Sequence, residues 1–180
     1  GGSVNAKHLV LTGADDDSLD WTFGWNGKVQ HVVIAQNPLQ LAGDAGYEAG
    51  NNELGHDITP RSAPTISNVT LVGGTTAGAG LRLRRGTAGK LYNHVVSGNF
   101  QRGLRIDDAP TFAQADAGNL SLRSFYISTA TPFHNAQAQA VFAKDANNRT
   151  GASTLSANTA GGKAYINGVN ENGVTSVDPR

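Results

Sequence analysis

Two stretches far apart in this chain follow one script: SLDWTFGWNGKVQHVVIAQ at 18–36 and GAGLRLRRGTAGKLYNHVVSG at 78–98. Each runs from an alternating strand through a glycine-rich corner to Gly-Lys and an apolar strand, with Gly27-Lys28 and Gly89-Lys90 in the same place. Self-similarity at this scale is the mark of stacked repeats. Five segments share the apolar-strand pattern: HLVLTG at 8–13, HVVIAQ at 31–36, NVTLVG at 68–73, NHVVSG at 93–98 and SFYIST at 124–129. Their starts lie 23, 37, 25 and 31 residues apart, the irregularity expected of coils with unequal loops at their corners. Leu11, Ile34, Leu71, Val96 and Ile127 form one aliphatic column. Leu9, Val32, Val69, His94 and Phe125 form a second, apolar but for the histidine. Period-two alternation of this kind describes a strand buried on one face.

A second series follows the first four strands: SLDWTFG at 18–24, GYEAGN at 46–51, GLRLRRG at 80–86 and GLRIDDA at 103–109. Leu19, Tyr47, Leu81 and Leu104 align in one column, and Trp21, Ala49, Leu83 and Ile106 in another. Between them stands an all-charged column of Asp20, Glu48, Arg82 and Arg105. Two independent inward ladders predict an all-β fold, a single-stranded parallel β-helix (β-solenoid) of about five coils. A sandwich of antiparallel hairpins would want tight two-residue turns, and the connections here are longer.

The coils are assigned to residues 4–129, with 41–65, rich in Gly and Pro, as an inserted loop. Residues 130–180 form a C-terminal cap and tail. There NAQAQAVFAKDANN (135–148) has helical spacing with Asn135 as N-cap, and KAYINGVN (163–170) reads as a last strand or extended tail. Solenoid ends need such a cap because their edges and cores are otherwise open. Gly1-Gly2-Ser3 reads as a cloning remnant.

Composition agrees with a thin-cored fold. Hydrophobic residues make up 38% and there are 23 glycines among 180 residues. The formal net charge is zero, and no basic run or membrane-length apolar stretch occurs, so neither nucleic acid nor a membrane span is expected. Cysteine is absent, which fits a bacterial secreted or outer-surface protein whose signal segment lies outside this sequence.

The order of three blocks, DDDSLDWTFGWNG, then PRSAP before the third strand, then RRGT after it, resembles a group of bacterial secreted, lipoprotein-like β-helix proteins. The resemblance spans roughly residues 4–109. It implies a surface or secreted parallel β-helix and carries over no catalytic residue.

The charged column is the foremost place for chemistry. Coils stack about 4.8 Å apart, so Asp20 over Glu48 would bring two carboxylates to roughly 5–6 Å, near the separation in a retaining glycosidase. Carboxylates beside arginines on a β-helix face are also similar to polysaccharide lyases, in which calcium binds the acidic sugar and an arginine takes the proton. The competing reading is a solvated face whose opposite charges pair across strands. The catalytic candidates are Asp20, Glu48, Arg82 and Arg105. Ligand-binding candidates add Trp25, Arg84 and Asp107. Asp15, Asp16 and Asp17 are candidate ligands for calcium, although they lack the spacing of a calcium loop. Trp21 belongs to the core, and Trp25 to a corner where it either packs or stacks on a sugar ring. No nucleophile elbow, phosphate loop or dinucleotide fingerprint is present.

The leading functional expectation is a non-catalytic secreted or cell-surface module that binds polysaccharide or another cell-envelope component, or serves as a rigid scaffold. The alternative is a polysaccharide lyase or glycoside hydrolase acting on an acidic glycan.

Overall fold

A computed structural model describes residues 1–37, 44–74, 78–152 and 177. All the strands pair in parallel, in two sheets. The first has the order β1 (Ala6–Thr12), β3 (Lys28–Ala35), β5 (Thr65–Gly73), β7 (Gly89–Gly98), β9 (Leu120–Ser128) and β10 (Arg149–Thr150). The second has the order β2 (Leu19–Trp21), β4 (Tyr47–Ala49), β6 (Ala79–Leu83) and β8 (Arg102–Ile106). From β1 to β9 successive strands alternate between the sheets, so each turn of chain stacks on the one before. The molecule is a parallel β-helix.

The apolar columns are in register. Leu11 pairs with Ile34, Ile34 with Leu71, Leu71 with Val96 and Val96 with Ile127. In the second sheet Leu19, Tyr47, Leu81 and Leu104 pair in sequence, as do Trp21, Ala49, Leu83 and Ile106. From Ile34 and Tyr47 onward these side chains are almost wholly buried between the sheets. His94 fits the apolar column because its ring lies flat on Phe125 at 4.4 Å and its two nitrogens bond Tyr47 Oη and Tyr92 O. Burial lowers its pKa to about 3, so it is a neutral core residue.

Each long strand bends at one place. His8, His31, Asn68, Asn93 and Ser124 occupy the same position of successive strands, and all have φ near +60° (57° to 60°). The left-handed residue shifts the inward alternation by one, so that Ile66 and Val69, or Leu91 and His94, both point inward. Asn is the non-glycine residue most tolerant of this conformation, and the polar ladder supports itself. His8 stacks on His31 at 5.1 Å, and Asn93 Nδ2 donates to Asn68 Oδ1 at 2.8 Å.

Three expectations need correction. The segment 41–65 is not a single insertion, because Tyr47–Ala49 is a central strand with its tyrosine fully buried. Residues 41–43 lie outside the described ones; 51–64 is the true loop, gathered around the buried Asn51, whose side chain bonds His56 O, Ile58 O and Ser62 N. The stretch 4–129 also contains a helix, α1 (Ala109–Asp116), which begins on the N-cap Asp108 with Pro110 in its first turn. Finally, 130–135 is not all cap. Phe133 pairs in parallel with Leu104, extending the second sheet.

The helix α2 (Ala136–Phe142) does start at Asn135, whose side chain accepts from the Ala138 N–H. It buries Ala138, Val141 and Phe142, and Phe142 meets Phe125 and Phe133 at 6.4 and 5.0 Å. The tail strand expected at 163–170 and the last part of the cap lie outside the described residues.

Candidate functional site

The outer face of the second sheet carries the charged column. Register places Asp20 beside Glu48, Glu48 beside Arg82 and Arg82 beside Arg105. Because Tyr47, Leu81 and Leu104 point inward, these four point out. The next outward column is Thr22, Gly50, Arg84 and Asp107, one residue beyond each strand's last inward side chain.

The middle of the face is a web of ion pairs. Arg82 bonds Glu48 Oε1 at 2.9 Å and Asp107 Oδ2 at 3.1 Å. Arg84 takes the other oxygen of Glu48. Arg105 Nε donates to Asp107 Oδ1 at 2.8 Å. Burial opposes the charge on Asp107, but the hydrogen bonds from Arg105 and Arg82 outweigh it and hold its pKa below the ordinary carboxylate value. Among the described residues, Arg84 Nε is buried without an acceptor. Glu48, Arg82 and Asp107 are thus committed to one another.

Asp20 differs. It is exposed, and among the described residues it has no ion pair or hydrogen bond to its carboxylate. Burial of part of the group and the nearby Glu48 charge raise its pKa, with Arg84 and Arg85 pulling it back. A carboxyl group without a fixed partner and with a raised pKa is suited to giving or taking a proton.

Beside it lies an acidic cluster that differs from the one expected. Asp16, Asp17 and Asp44 each bring an oxygen within 4.8 Å of the others, and Asp15 is not among them. Three adjacent side chains could not converge; Asp44, arriving from the next coil, supplies the third. Asp17 Oδ1 accepts from the Ala45 N–H at 2.8 Å, which ties the two coils together. Burial raises the Asp17 pKa to about 6 against that hydrogen bond, with Glu48, Asp16 and Asp44 adding their repulsion. Hard carboxylate oxygens so placed can coordinate a cation, and calcium fits them in kind.

Trp25 stands apart from this face. It lies past the corner made by Phe23 and Gly24, both at positive φ. Its indole N–H donates to Val4 O at 3.2 Å and its ring sits 5.9 Å from Trp21, so it packs on the core's edge. The face thus joins Asp20, Glu48, Arg82, Arg84, Arg105 and Asp107, with the aspartate cluster at one end. Asp44 was missed because its place depends on a loop's path. His134 was missed too, although Phe133 before it continues the Leu104 column.

A family model described as a pectate-lyase-like β-helix domain matches residues 1–170. The chain belongs to that family. No curated protein and no solved structure matches it. Among the described residues, no helix is long and apolar enough to cross a membrane.

Proposed function

We propose that this pectate-lyase-like β-helix cleaves an acidic polysaccharide laid across the outer face of its second sheet, in an extracellular or cell-surface setting. The observation that carries the reading is the contrast within that face: among the described residues Asp20 has no ion pair or hydrogen bond to its carboxylate and lies next to the cation-capable Asp16, Asp17 and Asp44, while the charges beyond it neutralise one another. A bound calcium would supply neutralisation of a uronate carboxylate, whose charge the aspartates alone would repel. Arg105, 37% exposed and holding Asp107 through Nε alone, keeps guanidinium N–H groups for a further sugar carboxylate. Asp20 is the proton-transfer residue of the proposal. Glu48 and Arg82, sequestered in ion pairs, serve to position the face rather than to exchange protons.

A second reading, non-catalytic binding, draws on the same ion pairs: five of the six charged residues on the face, Glu48, Arg82, Arg84, Arg105 and Asp107, are already paired. One experiment separates the two. The chain is incubated with polygalacturonate and alginate, with and without calcium, following ultraviolet absorbance for unsaturated lyase products and reducing ends for hydrolysis. Product formation that falls about 100-fold or more in Asp20→Asn, in line with loss of a general acid–base group, supports cleavage. Retarded migration of the chain in polymer-containing gels without product supports binding alone. Neither product nor retardation rejects an acidic polysaccharide as ligand.

A further inference from the structure

The charged face does not stop at Arg105. Leu104 N donates to Pro132 O, and His134 N donates to Leu104 O at 3.0 Å. These bonds set Phe133 opposite Leu104 and therefore His134 opposite Arg105. Phe133 turns inward against Phe142, so His134, exposed, turns outward. The column reads Asp20, Glu48, Arg82, Arg105, His134.

Here the face opens into a cavity of about 280 Å³ bounded by Asp107, Asp108, Phe112, His134, Asn135 and Gln137. Ordinary ligand pockets span about 300–1,000 Å³, so this one suits a single ring rather than a length of polymer. Its chemistry is mixed. The half-buried Phe112 offers an aromatic wall. Among the described residues, the His134 ring and the Gln137 carboxamide make no hydrogen bond, which leaves donors and acceptors on the rim. The two aspartates are fixed in orientation. Asp107 is held by Arg82 and Arg105, while Asp108 accepts from the Arg85 N–H, the Thr111 N–H and the Thr111 hydroxyl. Two oriented carboxylates favour hydroxyl donors, and Asp108, which among the described residues is paired with no arginine or lysine side chain, disfavours an anionic sugar.

We propose that this cavity is a subsite for an uncharged sugar unit, seated against Phe112 with its hydroxyls bonded by Asp107, Asp108, His134 and Gln137. It rests on the reading of the face as a polysaccharide site and adds that the polymer carries neutral as well as acidic units. Acidic units lie along the face from the cation-capable end as far as Arg105, and the cavity beyond takes a neutral one.

Saturation-transfer NMR on the full chain tests this with galactose, glucose, rhamnose and galacturonate as separate probes. Expected are transfer to at least one neutral sugar, no competition by galacturonate, and affinity weakened about tenfold or more, the value of one good hydrogen bond, in His134→Ala with Gln137→Ala. Both side chains are exposed, and an unchanged Tm confirms that the double variant folds. Asp20→Asn should leave this binding intact. Absence of transfer to any neutral sugar, equal competition by galacturonate, or an affinity unmoved by the double variant overturns the subsite. The polymer assay stays separate: retention of polygalacturonate binding with no neutral-sugar binding removes the subsite alone. Neutral-sugar binding without any polygalacturonate binding removes the acidic-polymer reading alone.

Discussion

The two sheets of this β-helix share one core but present opposite outer faces. On the second sheet the outward column is Asp20, Glu48, Arg82 and Arg105, charged throughout and open to solvent or half-buried. On the first sheet the equivalent column is Val10, Val33, Thr70, Val95 and Tyr126. Thr70, Val95 and Tyr126 are at most 4% exposed although they point away from the core. C-terminal residues lie against this side: Tyr126 Oη donates to Ala152 O, and Val177 exchanges two hydrogen bonds with the Asn93 side chain. At the N-terminal edge the cover ends, and Val10 is 72% exposed. Here the C-terminal end of the first sheet's outer face is withdrawn from solvent and tied to later residues by these hydrogen bonds. The charged face is the one on which the proposed ligand site lies.

The apolar face gives the sharpest way to break the contrast. Tyr126→Ala should cost about 3–5 kcal/mol, the range for truncating a buried aromatic, whereas Val10→Ala in the same column should change stability by less than about 0.5 kcal/mol. Urea titration of both variants measures it. Equal effects would mean that the cover over Tyr126 contributes nothing and that the two ends of the column are alike.

On the charged face the expected effect is smaller. Arg82→Gln strips Glu48 and Asp107 of a shared partner and should cost about 1–3 kcal/mol, since it breaks two charge-assisted bonds at a site only partly screened by solvent. The alternating columns alone suggest a different outcome: Arg82 above Arg105 and Asp20 above Glu48 read as like-charge stacks whose neutralisation should be mildly stabilising. The structure reverses this for the arginines, because Asp107 curls back between them and Arg84 reaches Glu48 from the neighbouring column. Denaturant midpoints that rise in Arg82→Gln would restore the simpler reading.

That reversal marks how far the sequence could be read. Strand register was legible because it depends only on alternation: each inward Leu, Ile or Val fixes its neighbours' sides. The column from Asp20 to Arg105 followed directly. What alternation cannot give is where a loop returns. Asp44 joins Asp16 and Asp17 only through the path into β4, and assigning 41–65 as one insertion obscured that path even though the columns already placed Tyr47, Glu48 and Ala49 in a strand. The helix α1 did announce itself, with Asp108 as N-cap and Pro110 two residues on, but it falls between two strands of a pattern otherwise read as coil. His134 was obscured by Pro132, which argues against a strand interior and yet sits at an edge, where it needs no donor.

The smallest predicted effect concerns the acidic end, and its sign distinguishes a site from an ordinary surface. Asp17 has its pKa raised from 3.8 to about 6 in the folded chain. Between those two values the folded state holds a proton that the unfolded state has released, so stability falls as pH rises through that window. This is the opposite of a salt-bridged carboxylate such as Asp107, whose lowered pKa contributes stability that is lost only in stronger acid. Asp17→Asn should therefore match the parent chain near pH 4 and exceed it near pH 7 by up to about 1 kcal/mol, allowing for screening at a half-exposed group. Calcium should act the other way, raising the parent's Tm near pH 7, doing less near pH 5 where the proton competes for the same oxygens, and doing little in the variant. Thermal melts across that pH range, with calcium and with chelator, give all four curves. If parent and Asp17→Asn run parallel and calcium moves neither, Asp16, Asp17 and Asp44 are a solvated corner, and the proposed polysaccharide site loses its cation-dependent end.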